Sequence, residues 1–177
     1  MTKKHTLKLV LAAFFLALSY VMPFLTGQIP EIGAMLCPLH IPVILCGFIC
    51  GWQWGLMVGL VAPLFRSLTL GMPPFFPTAL CMAFELAVYG GVSGIMKRIL
   101  PLKKIYIYCS LLIAMILGRL VWGVAMLVFM GIQGNTFTFS AFLAGAVFNA
   151  LPGIVLQIII IPAIVMVCDK SKILREN

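Results

Sequence analysis

Three charged side chains interrupt long apolar stretches of this sequence: Arg66, Glu85 and Arg119. Left facing lipid at a helix centre, each would cost roughly 2.5–3.5 kcal/mol, so each needs a partner. Two guanidiniums against one carboxylate leave a surplus positive charge in a low-dielectric place. A bound anion would neutralise it, and the forked donors of arginine suit a carboxylate or a phosphate. The competing account is structural, with Glu85 paired to Arg119 or Arg66 as glue between helices and no ligand involved.

Other polar groups fall at similar positions. His40 follows Pro38 at the start of an apolar run, and helical spacing sets Glu85 and Tyr89 on one face with Thr78 and Met82. Arg119, Trp122 and Met126 share another face. In the last apolar stretch Gly145, Asn149, Gly153 and Gln157 recur every four residues, forming one small-and-polar stripe. Arg66, Glu85, Arg119, Asn149 and His40 are therefore the candidate polar contacts of a small ligand, with Tyr89 and Trp122 as aromatic wall. The chain has no GxxxxGK[ST] loop, HExxH, GxSxG or paired carboxylates, so nucleotide hydrolysis and hydrolase chemistry lack their groups. Glu85 and His40 alone make too thin a set for an enzyme. The six cysteines form no CxxC pair and there are two histidines, so neither a cofactor nor a metal site is expected.

The elements that position these residues follow from composition. The 177 residues are 63% hydrophobic and 9% charged, with a mean hydropathy of +1.19. A soluble domain would be about a quarter charged, so lipid must solvate most of this surface. Crossing a hydrocarbon core takes about 20 apolar residues. Six stretches approach that length: 9–25, 36–50, 56–70, 76–96, 105–130 and 139–168. Between them lie loops at Thr26–Ala34, Gly71–Phe75 and Gly131–Phe137, a turn at Gly51–Gly55, and a basic connection ending near Lys104. Pro152 and Pro162 are expected kink points in the last span. The first stretch resembles a signal peptide, but the spans that follow favour an uncleaved helix.

The net charge is +8, and apart from Arg66 and Arg119 every basic residue falls in one of three clusters. They are Lys3, Lys4 and Lys8; Lys97, Arg98, Lys103 and Lys104; and Lys170, Lys172 and Arg175. Six crossings with the N-terminus inside put all three on the cytoplasmic side, beside anionic lipid headgroups. The expectation is an all-α integral membrane protein, a six-helix bundle with both termini cytoplasmic, forming a single transmembrane domain over residues 1–177. On helix rise, Glu85 then lies near mid-membrane, with Arg66 and Arg119 in the outer half. A membrane scaffold or an ion-coupled secondary transporter would share these features.

Small residues add a further signal. Ala13 and Ala17 form an AxxxA pattern, and Gly47, Gly51, Gly55 and Gly59 with Gly90 and Gly94 invite close helix approach. A small basic six-span chain with AxxxA in its first helix resembles the substrate-binding S component of energy-coupling factor (ECF) vitamin transporters. The stretch Pro38 to Gly51, with its Gly47-Phe48-x-x-Gly51 element, looks like that family's second span. The resemblance implies a vitamin or precursor held near the outer face of a bacterial cell membrane, most similar in type to the pantothenate proteins, whose ligand carries a carboxylate. It also implies docking through Ala13 and Ala17 onto a transmembrane T component that carries two ATPase subunits.

Overall fold

Glycine decides where the middle of the chain turns. The computed structural model describes residues 3–26, 35–101 and 103–170, with no strand among them. Helix α1 (Lys3–Val21) runs into a 3₁₀ turn at Met22–Thr26. Helix α2 (His40–Cys50) stops at Gly51, whose φ of 100° is open to glycine and whose N–H still donates to the Gly47 carbonyl. Helix α3 (Trp52–Leu70) therefore starts at the very next residue, so the turn expected over Gly51–Gly55 narrows to Gly51 alone. It ends on Gly71 in the left-handed conformation, with Pro73 and Pro74 barring continuation.

A wide turn at Phe75–Ala79 leads into α4 (Leu80–Ile99), followed by α5 (Lys104–Ile132). The last apolar stretch does not form one helix. It divides into α6 (Phe139–Leu143), a wide turn at Ala144–Phe148, and α7 (Leu151–Lys170). The break falls before Pro152, which lacks an N–H and fits the first turn of α7; Pro162 sits inside α7 without ending it. The four-residue series from Gly145 to Gln157 is consequently not a single stripe.

Among the described residues, four helices are long and apolar enough to cross a membrane: His5–Phe24, Phe75–Ile99, Lys104–Ile132 and Leu151–Asp169. Helix α2, with 11 residues, is about 16 Å long and falls short of a full crossing by itself. Helix α3 has the length, but Gln53, Pro63 and Arg66 dilute its apolar run.

All of α2 is buried, and it forms the centre of the bundle with α1, α3, α4 and α7 against it. The tightest contact is between α3 and α4, where Gly55 and Gly59 of α3 meet the backbone of Gly90 and Leu86. Gly47 of α2 meets Gly90 and Ser93 from the other side, so the glycine series touches one helix despite crossing a turn. Helix α5 buries Ile107, Leu111, Ala114, Met115 and Gly118 toward the bundle and leaves Ile105, Leu112, Ile116, Leu120 and Val124 exposed. That division suits a helix with lipid on its outer face. Residues 27–34 of the first connection, and Lys172 and Arg175 of the last basic cluster, lie outside the described residues.

Candidate ligand site around Glu85 and Arg119

Three helices and one turn bring the central polar residues together. The turn at Pro38–Leu39 is closed by a 3.1 Å bond from the His40 N–H to the Cys37 carbonyl, which places His40 first in α2. Glu85 and Tyr89 lie one turn apart on α4 and therefore share a face. Arg119 projects from α5 beside Gly118, which lets the Tyr89 ring pack directly on the α5 backbone.

Glu85 is the hub. Its Oε1 lies 3.0 Å from Arg119 Nη1, accepts a 3.1 Å bond from the Tyr89 hydroxyl, and stands 3.5 Å from His40 Nε2. The His40 and Tyr89 rings also touch, with centroids 5.2 Å apart. Glu85 and His40 are almost fully buried, whereas the Arg119 side chain keeps 15% of its surface. Taking these charges out of water costs several kcal/mol per ion, and the short contact with its added hydrogen bonds offsets that cost. The pair is neutral as a unit.

Three buried nitrogens remain unsatisfied. Among the described residues, Arg119 Nε and both ring nitrogens of His40 have no hydrogen-bond partner. The Arg119 guanidinium reaches Cys37 Sγ through Nη2 at 3.6 Å, a weak acceptor. Cys37 itself holds a φ of 48°, a conformation rare for a side chain other than glycine, immediately where the chain must meet Arg119.

Arg119 also borders a groove. This open groove of about 300 Å³ lies between α5, the α6 break and α7, lined by Arg119, Met115, Phe142, Ala146 and Ile154 together with Leu112, Ile116 and Leu120 from the exposed face of α5. Its walls are apolar apart from the guanidinium, a composition common in small-ligand pockets.

Arg66 does not join this group. Its Nη1 donates at 3.0 Å to the Tyr20 carbonyl near the end of α1, and its guanidinium lies 5.5 Å from the centre of the Phe24 ring. The expected surplus of positive charge is therefore not shared around one cavity: Glu85 takes Arg119, and Arg66 ties α3 to α1. Asn149 is exposed in the break before α7. Trp122 is half-buried against Gly145, Phe137 and Phe142, and so backs the cavity's aromatic wall. Ala13 and Ala17 face outward from α1, whose Ala12, Phe15 and Ser19 turn into the bundle.

Residue types did not single out Cys37 for this site, because a lone cysteine in apolar sequence reads as filler; only its place before Pro38 was a hint. Gln157 is 1% exposed, and its Oε1 has no hydrogen-bond partner among the described residues. It follows by one turn Gly153, which packs on the Met35 and Leu36 backbone.

The model for the ECF transporter substrate-specific component matches residues 7–165. No curated protein and no solved structure matches the chain. A match over that span, on an all-helical chain with several membrane-length helices, settles the family: the chain belongs to the substrate-specific components of ECF transporters.

Proposed function

We propose that this S component captures a vitamin-sized molecule in the cavity beside Arg119 and passes it across the membrane with a T component and two ATPase subunits. One observation carries the site: a guanidinium held by Glu85 keeps a buried Nε with no partner among the described residues while bordering a groove of about 300 Å³. A turn of the guanidinium toward the cavity would let a ligand oxygen satisfy the orphan donor, which otherwise carries a desolvation cost of about 1–3 kcal/mol or more.

The fitting ligand has an aliphatic body for the apolar wall and an acceptor oxygen for Arg119. Pantothenate, with a carboxylate and branched methyls, meets both requirements and is the first candidate. Because Glu85 already balances Arg119, a ligand carboxylate would share the guanidinium rather than neutralise a bare charge. His40 and the exposed Asn149 are secondary polar contacts for hydroxyls or amides, while Tyr89 and Trp122 fix the surrounding shape. Arg66 acts at a distance, by holding the outer end of α1.

The same reading assigns six crossings with both ends cytoplasmic, counting α2 with the turn before it and α3 as spans packed in the interior. The outward-facing Ala13 and Ala17 let a partner helix approach α1 closely, which supports them as the docking seam for the T component.

The test is a thermal-shift panel of water-soluble vitamins and precursors on the purified protein without ATPases. At least one member should stabilise the wild type, and Arg119→Met should weaken its binding by tenfold or more, about 1.4 kcal/mol. A panel in which nothing stabilises the wild type defeats the proposal.

A further inference from the structure

At the opposite end of α4 from the wide turn lies a second and larger cavity, of about 440 Å³. It is formed where the start of α1, the α2–α3 turn and the end of α4 meet, and its lining includes Lys8, Lys97 and Arg98 with His5, Trp52 and Trp54. The start of α1 and the end of α4 thus bring cations to one concavity. No acidic residue among the described ones lines it, and Asp169 is close enough to Lys97 to offset part of that charge.

The backbone adds to the field. Gly51 precedes α3 with no side chain capping the helix. The first N–H groups of α3, from Trp52 to Trp54, are carried by residues that line the cavity. Such N–H groups have no intrahelical acceptor, and the positive end of the helix dipole lies with them. Gly94 permits this approach, because any side chain there would collide with the Trp52 backbone. The His5 ring meets Trp54 edge-on at 5.6 Å, which ties α1 to the same wall.

We propose that this cavity binds a phosphate group, presented by an anionic phospholipid headgroup or by a soluble phosphate compound. Lys97 and Arg98 supply the charge-assisted donors, the α3 start supplies backbone N–H groups, and the indoles pack the glycerol or acyl stub of a lipid. Nothing in this inference depends on the ligand cavity beside Arg119.

The experiment places the full-length protein in phosphatidylcholine nanodiscs with or without phosphatidylglycerol, and in a second arm adds inorganic phosphate to the lipid-neutral discs. Retained phosphatidylglycerol is counted by native mass spectrometry, and the thermal midpoint is followed in both arms. In the wild type, one arm raises the midpoint: the lipid arm assigns a headgroup, the phosphate arm a soluble ligand. Removing two charges, as in K97Q/R98Q, should weaken binding roughly 30-fold. The pair K103Q/K104Q, also basic but outside the cavity lining, should leave it unchanged, and the charge-conserving K97R/R98K should retain it. Equal loss in the two Gln pairs would mean non-specific attraction and overturn the site, as would a wild type indifferent to both arms.

Discussion

Glu85 Oε1 and Arg119 Nη1 stand 3.0 Å apart, joining α4 to α5 where both helices are otherwise apolar. The contact is at once a structural tie and the anchor of the candidate ligand site. Those two roles make different demands, and variants can separate them.

Removing one partner leaves the other charge buried and unbalanced. Glu85→Gln should lower stability by about 3–5 kcal/mol, the usual penalty for breaking a buried pair. Replacing both, as Glu85→Gln with Arg119→Met, should recover more than half of that loss, since no charge then remains. Unfolding in a bilayer mimic across the double-mutant cycle measures the coupling. Additive losses would show that the pair is not the tie between these helices.

The two arginines set in apolar helices should part company. Arg66 is satisfied by the Tyr20 carbonyl and the Phe24 ring. Arg66→Met should therefore cost about 1.5–3 kcal/mol, the worth of a charged hydrogen bond, and increase amide exchange at the end of α1. Ligand affinity should stay within about threefold of wild type. Arg119→Met should reverse the pattern in affinity, with a tenfold or greater loss. Equal affinity losses would place Arg66 in the ligand site after all.

Much of this arrangement was readable in residue types, and the failures are instructive. Membrane character and the helix breaks at Gly51 and Gly71 follow from hydropathy and glycine chemistry, and the cost of lone charges requires a partner for Glu85. The expected convergence of Arg66 with Glu85 and Arg119, however, does not occur. Residue types could not say which of two arginines Glu85 would take, because pairing depends on how helices rotate about one another. The division of the last stretch was hidden for a different reason: residues 139–168 are apolar throughout, and Asn149 and Gly145 did not outweigh that continuity. Helix α2 begins at His40 and not at residue 36, a boundary hydropathy conceals because Leu36 and Cys37 are as apolar as the helix they precede.

Tyr89 separates ring packing from hydrogen bonding. Tyr89→Phe removes only the hydroxyl that donates to Glu85 and should cost about 1 kcal/mol. Gly118→Ala leaves every polar group in place but drives a methyl into the Tyr89 ring. Such overpacking typically costs about 1–3 kcal/mol, and moving the ring also loosens its bond to Glu85. Gly118→Ala should thus lower the midpoint more than Tyr89→Phe. The opposite order would mean that α5 stands farther from α4 than the ring contact indicates.

Glycine supplies the last test, because the same substitution should act oppositely at two places. At Gly55 an added methyl would fall on the Gly90 carbonyl, and at Gly90 on the Gly55 backbone. Neither obstacle is a movable side chain, so α3 and α4 would have to separate along their closest contact. Gly55→Ala and Gly90→Ala should each lower stability by about 1–3 kcal/mol or more and reduce membrane yield. Gly131, near the end of α5, has open space around it. There the methyl only restores helix propensity, worth up to about 1 kcal/mol, so Gly131→Ala should be neutral or stabilising. Thermal midpoints of the three variants in one detergent decide the matter. If Gly55→Ala tracked Gly131→Ala, the close approach of α3 to α4 that sets Glu85 in the bundle would not exist.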